Sequence, residues 1–142
     1  MTRTLDYLKN IAKEHGSAIA LHENDVQVSY EELAVAVNAL AVALHMKDPT
    51  PASRVALCAV NSLEYLVSVL AIQAADKVVV PLDPQADLEI LHSLLEASLP
   101  STLIVDDHGD AKIQCDEDFK IRFSQFEGLV RTYRDHSLPL PL

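Results

Sequence analysis

Glycine is scarce in this chain. Of 142 residues only Gly16, Gly109 and Gly128 lack a side chain, and they lie far apart. A phosphate cradle of the GxGxxG or P-loop kind needs clustered glycines, so that main-chain amides can approach the anion. Neither can form here. A Rossmann loop after the first parallel strand is excluded by the same shortage. That position reads Asn61-Ser62-Leu63-Glu64, where Asn61 is expected to cap a helix.

Tryptophan is absent and aromatic residues make up only 5%, so the core must be built from Leu, Val, Ile and Ala. Basic side chains are few: 11 Lys and Arg stand against 21 Asp and Glu, a net charge of −10. Such a chain repels phosphate backbones and anionic bilayers, which argues against a nucleic-acid partner. The two cysteines, Cys58 and Cys115, have no metal-ligand spacing around them. Cys58 lies in the apolar run 55–60 and reads as a small core residue. No apolar run approaches the ~20 residues of a membrane span. Met1-Thr2-Arg3-Thr4-Leu5-Asp6 lacks the apolar stretch of a signal peptide. A cytoplasmic protein is the expectation.

Catalytic patterns are missing as well. There is no GxSxG elbow. The six histidines form neither HxH nor HExxH. His22-Glu23-Asn24-Asp25 and Asp106-Asp107-His108-Gly109-Asp110 gather potential ligands but read as solvated turns. Asp116-Glu117-Asp118 lacks the ordered spacing and glycine of a calcium loop. Asp83 follows a buried run, where α/β sheets often carry function, but it has no partner carboxylate and reads as part of the Pro81-Leu82-Asp83-Pro84 turn.

What is present is alternation. Leu5, Leu8, Ile11 and Ala12 mark a helix over Thr4–His15, stopped at Gly16. Short extended runs at 18–22 and 26–28 flank Asn24-Asp25 and predict a hairpin. Ser29-Tyr30-Glu31-Glu32 is a capping box for a helix reaching Met46. Continuous apolar runs at 55–60, 78–80 and 102–105 read as strands covered on both faces, the second stopped by Pro81. Helices beginning near Ser62 and after Asp87 separate them. The result is α/β: a β-α-β-α-β parallel sheet layered with helices. Beyond it, 112–115 and 120–123 read as strands, 126–133 as a short helix, and 137–142 as a linker or cut end.

The order of these pieces resembles the adenylate-forming (AMP-binding) superfamily, which includes acyl-CoA synthetases, nonribosomal-peptide adenylation domains and luciferases. Val28-Ser29-Tyr30-Glu31-Glu32-Leu33 followed by Val37-Asn38-Ala39-Leu40-Ala41 resembles its (T/S)YxEL…NxLA segment. Arg54-Val55-Ala56-Leu57 followed by Asn61-Ser62-Leu63-Glu64-Tyr65 resembles its RVAI…NSxE segment. Val78-Val79-Val80-Pro81-Leu82-Asp83-Pro84 resembles its VPL(N/D)P strand, and Leu103-Ile104-Val105-Asp106 its next strand.

The resemblance implies an ATP- and Mg-dependent ligase that makes an acyl-adenylate and passes the acyl group to a thiol of coenzyme A or a carrier protein. It implies that residues 1–136 are an amino-terminal subdomain and that the family's catalytic motifs fall after Leu142. No catalytic, cofactor-binding or metal-binding residue is therefore carried onto this chain. The expected partner is the remainder of the ligase domain. If the chain is instead a standalone, non-catalytic interaction module, the partner is another protein or a second copy. A receiver-like α/β domain is a further alternative, because Asp83 and Asp106 both follow predicted strands. The missing acidic pair after the first strand argues against it. Two departures from the family pattern stand out: Ala52-Ser53 and Asp76-Lys77 replace pairs that usually contain glycine. At the second, glycine would supply a positive-φ helix end, for which Asp is a tolerable substitute.

Overall fold

Apolar runs without alternation need cover on both sides, and a computed structural model, describing residues 4–23 and 25–138, supplies it from helices on two faces for 55–58 and 102–105, whereas in the run 78–80 Val78 is 48% exposed. The elements run α1 (Thr4–His15), β1 (Ile19–Glu23), β2 (Val26–Ser29), α2 (Tyr30–Lys47), β3 (Arg54–Cys58), α3 (Leu63–Ala74), β4 (Val78–Leu82), α4 (Leu88–Ser98), β5 (Thr102–Val105), α5 (Asp107–Lys112), β6 (Lys120–Arg122) and α6 (Phe126–Tyr133). The antiparallel hairpin β1–β2 has Glu23 opposite Val26. Asn24 of its expected turn, and residues 139–142 of the expected linker, lie outside the described residues.

The main sheet has strand order β4-β3-β5-β6 and every pairing in it is parallel. Successive side chains go to opposite faces. Val55 and Leu57 of β3 and Ile104 of β5 join α1, α2 and α3 in the larger core. Ala56, Cys58, Leu103 and Val105 meet Leu91 of α4 and Ile113 on the other side. Helix α3 leads outward to β4, whereas α4 carries the chain back across β3 to β5. Right-handed crossovers running in opposite directions put their helices on opposite faces, as found here.

Helix α2 is the centre of the helical layer. Ser29 caps it through its Oγ, which accepts from the Glu32 amide at 3.1 Å, while the Glu32 carboxylate accepts from the Ser29 amide at 3.1 Å. Its alanines at 39, 41 and 43 are buried and let α1, α3 and α6 come close.

Several local expectations are corrected. Proline does not end β4 but sits within it, opposite Leu57; β4 is an edge strand, where the missing amide costs no ladder bond. Ser62, not Asn61, caps α3, its Oγ accepting from the Tyr65 amide at 3.2 Å. The run 55–60 yields a strand only to Cys58. Residues 107–112 form α5 rather than a turn, and 113–115 are not a strand.

The two departures from the family pattern occupy the same kind of backbone. Ala52 has φ 63° and Asp76 φ 59°. Asp76 is the left-handed residue of a Schellman ending on α3: the Lys77 amide donates to Ile72 O at 3.0 Å and the Asp76 amide to Gln73 O at 3.1 Å. The Ala52 amide then donates to Asp76 O at 2.8 Å, joining the two turns. Buried Lys77 donates from Nζ to Asp48 O and Thr50 O and clamps the α2–β3 connection. Burial pulls its pKa below the usual lysine range.

Candidate functional site

In an open parallel sheet, ligands bind beyond the carboxyl ends of the strands, at the crevice where connections leave in opposite directions. Here that crevice lies between β3, which feeds α3, and β5, which feeds α5. Its contents are Cys58, the 59–62 segment, Asp106 and the first turn of α5.

Asp106 closes it. This residue is only 9% exposed, and both its carboxylate oxygens are used. Oδ1 accepts from the Gly109 amide at 2.8 Å and caps α5. Oδ2 accepts from the Val60 amide at 2.9 Å and ties the end of β3 to the end of β5. Gly109 then lies directly on β3: a Cβ there would stand 2.1 Å from Cys58 O. That close approach packs the first turn of α5 against the end of β3.

The remaining residues singled out from sequence are dispersed. Asp83 Oδ1 accepts from the Gln85 amide at 2.9 Å and serves its own turn. Asn61 is exposed and caps nothing. The Cys58 thiol is fully buried, and burial, with Asp106 and Asp83 adding to it, pushes its pKa up to about 11. It holds its proton at neutral pH and is a poor nucleophile. Cys115 is exposed, with its pKa also raised, chiefly by desolvation. No group of three or more His, Cys, Asp or Glu side chains suited to a metal occurs among the described residues.

Two features were not legible in the sequence. One is a charge network between α5 and β6. Lys120 Nζ, almost fully buried, donates to Asp110 Oδ1 at 2.8 Å and Ile113 O at 2.7 Å. Arg122 donates from Nε to Asp110 Oδ2 at 2.9 Å and forks onto both Glu117 oxygens at 2.6 and 2.7 Å. Hydrogen bonds from Lys120, then Arg122, hold the Asp110 carboxyl below its ordinary pKa; Arg122 does the same for Glu117. These bonds fasten the last strand and leave no free acceptor pair aimed at a ligand.

The other is a groove of about 460 Å³ between β2, α2, α3 and α6. Leu33, Ala36, Val67 and Val130 are among its apolar lining, and Val28 and Phe126 border it. Glu32, Glu64, Glu127 and Arg131 stand around it. The signal for it is split among four elements that meet only in the fold.

Comparison with known proteins agrees with this architecture. A family model described as "AMP-binding enzyme" matches residues 8–132. Malpinin synthetase of Mortierella alpina is 37% identical over 93 residues, which are 66% of this chain and 1% of that synthetase. A substituted propanoyl:CoA ligase of Rhodococcus jostii is 29% identical over 104 residues, 73% of this chain and 20% of the ligase. The chain thus spans a small part of the curated relatives it matches. Among solved structures, the N-terminal domain of FACL13 from Mycobacterium tuberculosis superposes with a TM-score of 0.83 at 18% identity, the match covering all of this chain and 39% of that domain. NpsA of Klebsiella oxytoca, bound to 3-hydroxyanthranilyl-AMSN, superposes with a TM-score of 0.77 at 21% identity, covering 100% of this chain and 28% of NpsA.

Proposed function

The chain belongs to the AMP-binding enzyme family, and from that premise we propose that it is the amino-terminal portion of an ATP-dependent ligase. That ligase activates a carboxylate as its acyl-adenylate, then transfers the acyl group to a thiol of coenzyme A or a carrier protein. In this reading residues 1–136 are the first subdomain, 137–142 lead into the rest, and the whole works in the cytoplasm. The remainder of the ligase domain is the partner.

One observation carries the division of labour: Asp106 and Gly109 fill the switch-point crevice with the chain's own backbone and carboxylate. A nucleoside triphosphate does not fit these residues. A buried carboxylate with both oxygens already bonded repels phosphate, and the Val60 and Gly109 amides that point into the crevice are already taken by it. No step of the reaction is therefore assigned to this chain. Its role is to hold the first layers of the domain that the catalytic segments complete.

Titration with Mg-ATP tests this directly. The isolated chain should give no saturable, magnesium-dependent signal at millimolar nucleotide. Binding in that range would mean that the crevice opens and that the site assignment is wrong. Sequencing the native transcript past codon 142 separates the two parts of the reading. An open frame entering a Thr/Ser/Gly-rich loop with a lysine supports the ligase. A stop codon leaves a catalytically empty subdomain.

A further inference from the structure

We propose that the groove between β2, α2, α3 and α6 is a docking site for a basic amphipathic helix of a partner polypeptide. The proposal is independent of whether a ligase follows this subdomain.

The groove is apolar inside, with Leu33 and Val67 buried and Val26 of β2 still 55% exposed nearby. Helix α6 buries none of its residues fully, so one wall carries half-covered Phe126 and Val130. Apolar surface of this kind fits the anchors that a helix presents at i, i+3, i+4 and i+7. Charge decides which helix. Glu32, Glu64 and Glu127 are exposed around the groove and, among the described residues, Arg131 is the one cation lining it. A ligand with Lys or Arg beside its apolar stripe pairs with these acids, whereas an acidic ligand is repelled. The same rule disfavours a second copy of this chain, whose groove would bring acid against acid on a molecule of net charge −10.

The probe is a labelled amphipathic peptide of leucine and lysine, with a leucine–glutamate peptide of the same pattern as control. Fluorescence anisotropy and circular dichroism follow binding and helix formation. The leucine–lysine peptide should bind and gain helix, and the control should not. Glu64→Lys with Glu127→Lys should weaken binding at least about tenfold. Glu89→Lys with Glu96→Lys, the same charge change on α4 across the sheet, should change it less than about twofold. Val26→Ser, at an exposed position, should weaken binding without altering the melting temperature.

Equal effects of the two charge-reversal pairs would mean attraction to net charge alone and would overturn the proposal. So would binding of the leucine–glutamate peptide. Sedimentation showing a dimer that Val26→Ser dissociates would assign the groove to a second copy instead.

Discussion

Alanine at 52 is held at φ 63°, a conformation that costs a residue with a Cβ about 1–2 kcal/mol. Glycine removes that cost but loses about 0.5–1 kcal/mol of chain entropy on folding. Ala52→Gly should therefore stabilise the protein by about 0.5–1 kcal/mol, measured by urea denaturation. Gly109 gives the opposite case. Its φ is not positive, so the need for glycine comes from space: any Cβ meets Cys58 O. Gly109→Ala should cost about 1–3 kcal/mol as α5 is pushed off β3. The first of these positions was suspect from sequence, because glycine is usual there in the family. The second gave no such signal, since close approach between residues 58 and 109 exists only after the sheet is assembled.

At the level of elements, caps and connections decide what forms. Asp106 does two jobs, capping α5 and satisfying the Val60 amide. Asp106→Ala removes the cap and strands a part-buried donor, an expected loss of about 2–4 kcal/mol by denaturant titration. Ser29→Ala, which removes only half of a capping box on the long α2, should cost about 1 kcal/mol. The contrast explains what was readable beforehand. Ser29 and Glu32 stand in the spacing that a capping box demands, so the start of α2 was visible. Helix α5 has six residues, Gly109 among them, and its stability rests on Asp106 and on the packing against β3. Local propensity could not announce it, and the segment read as a turn. Pro81 misled in a related way: its effect depends on whether the strand is central or at an edge, which only the strand order reveals. The parallel sheet itself was legible, because β3, β4 and β5 are short apolar runs with helices between them. The groove was not, because Val26, Ala36, Val67 and Val130 share no local pattern.

For the molecule as a whole, acid is the condition that tests the α5–β6 network. The folded pKa of Asp110 is depressed by Lys120 and Arg122, so its stabilising contribution is present above the unfolded carboxylate value. It is lost as pH falls below that value and through the folded one. Denaturant titrations at about pH 6 and about pH 3 should show a smaller stability difference in Asp110→Asn than in the parent chain. An unchanged difference would mean that other carboxylates govern the acid limb. The strand order has a consequence for synthesis. Strand β3 pairs with both β4 and β5, so the first parallel strand to leave the ribosome cannot complete its ladder until residues 102–105 have emerged. Until then β3 keeps one open edge, and while α2 and α3 cover the face that carries Val55 and Leu57, the face that carries Cys58 stays bare until α4 has emerged.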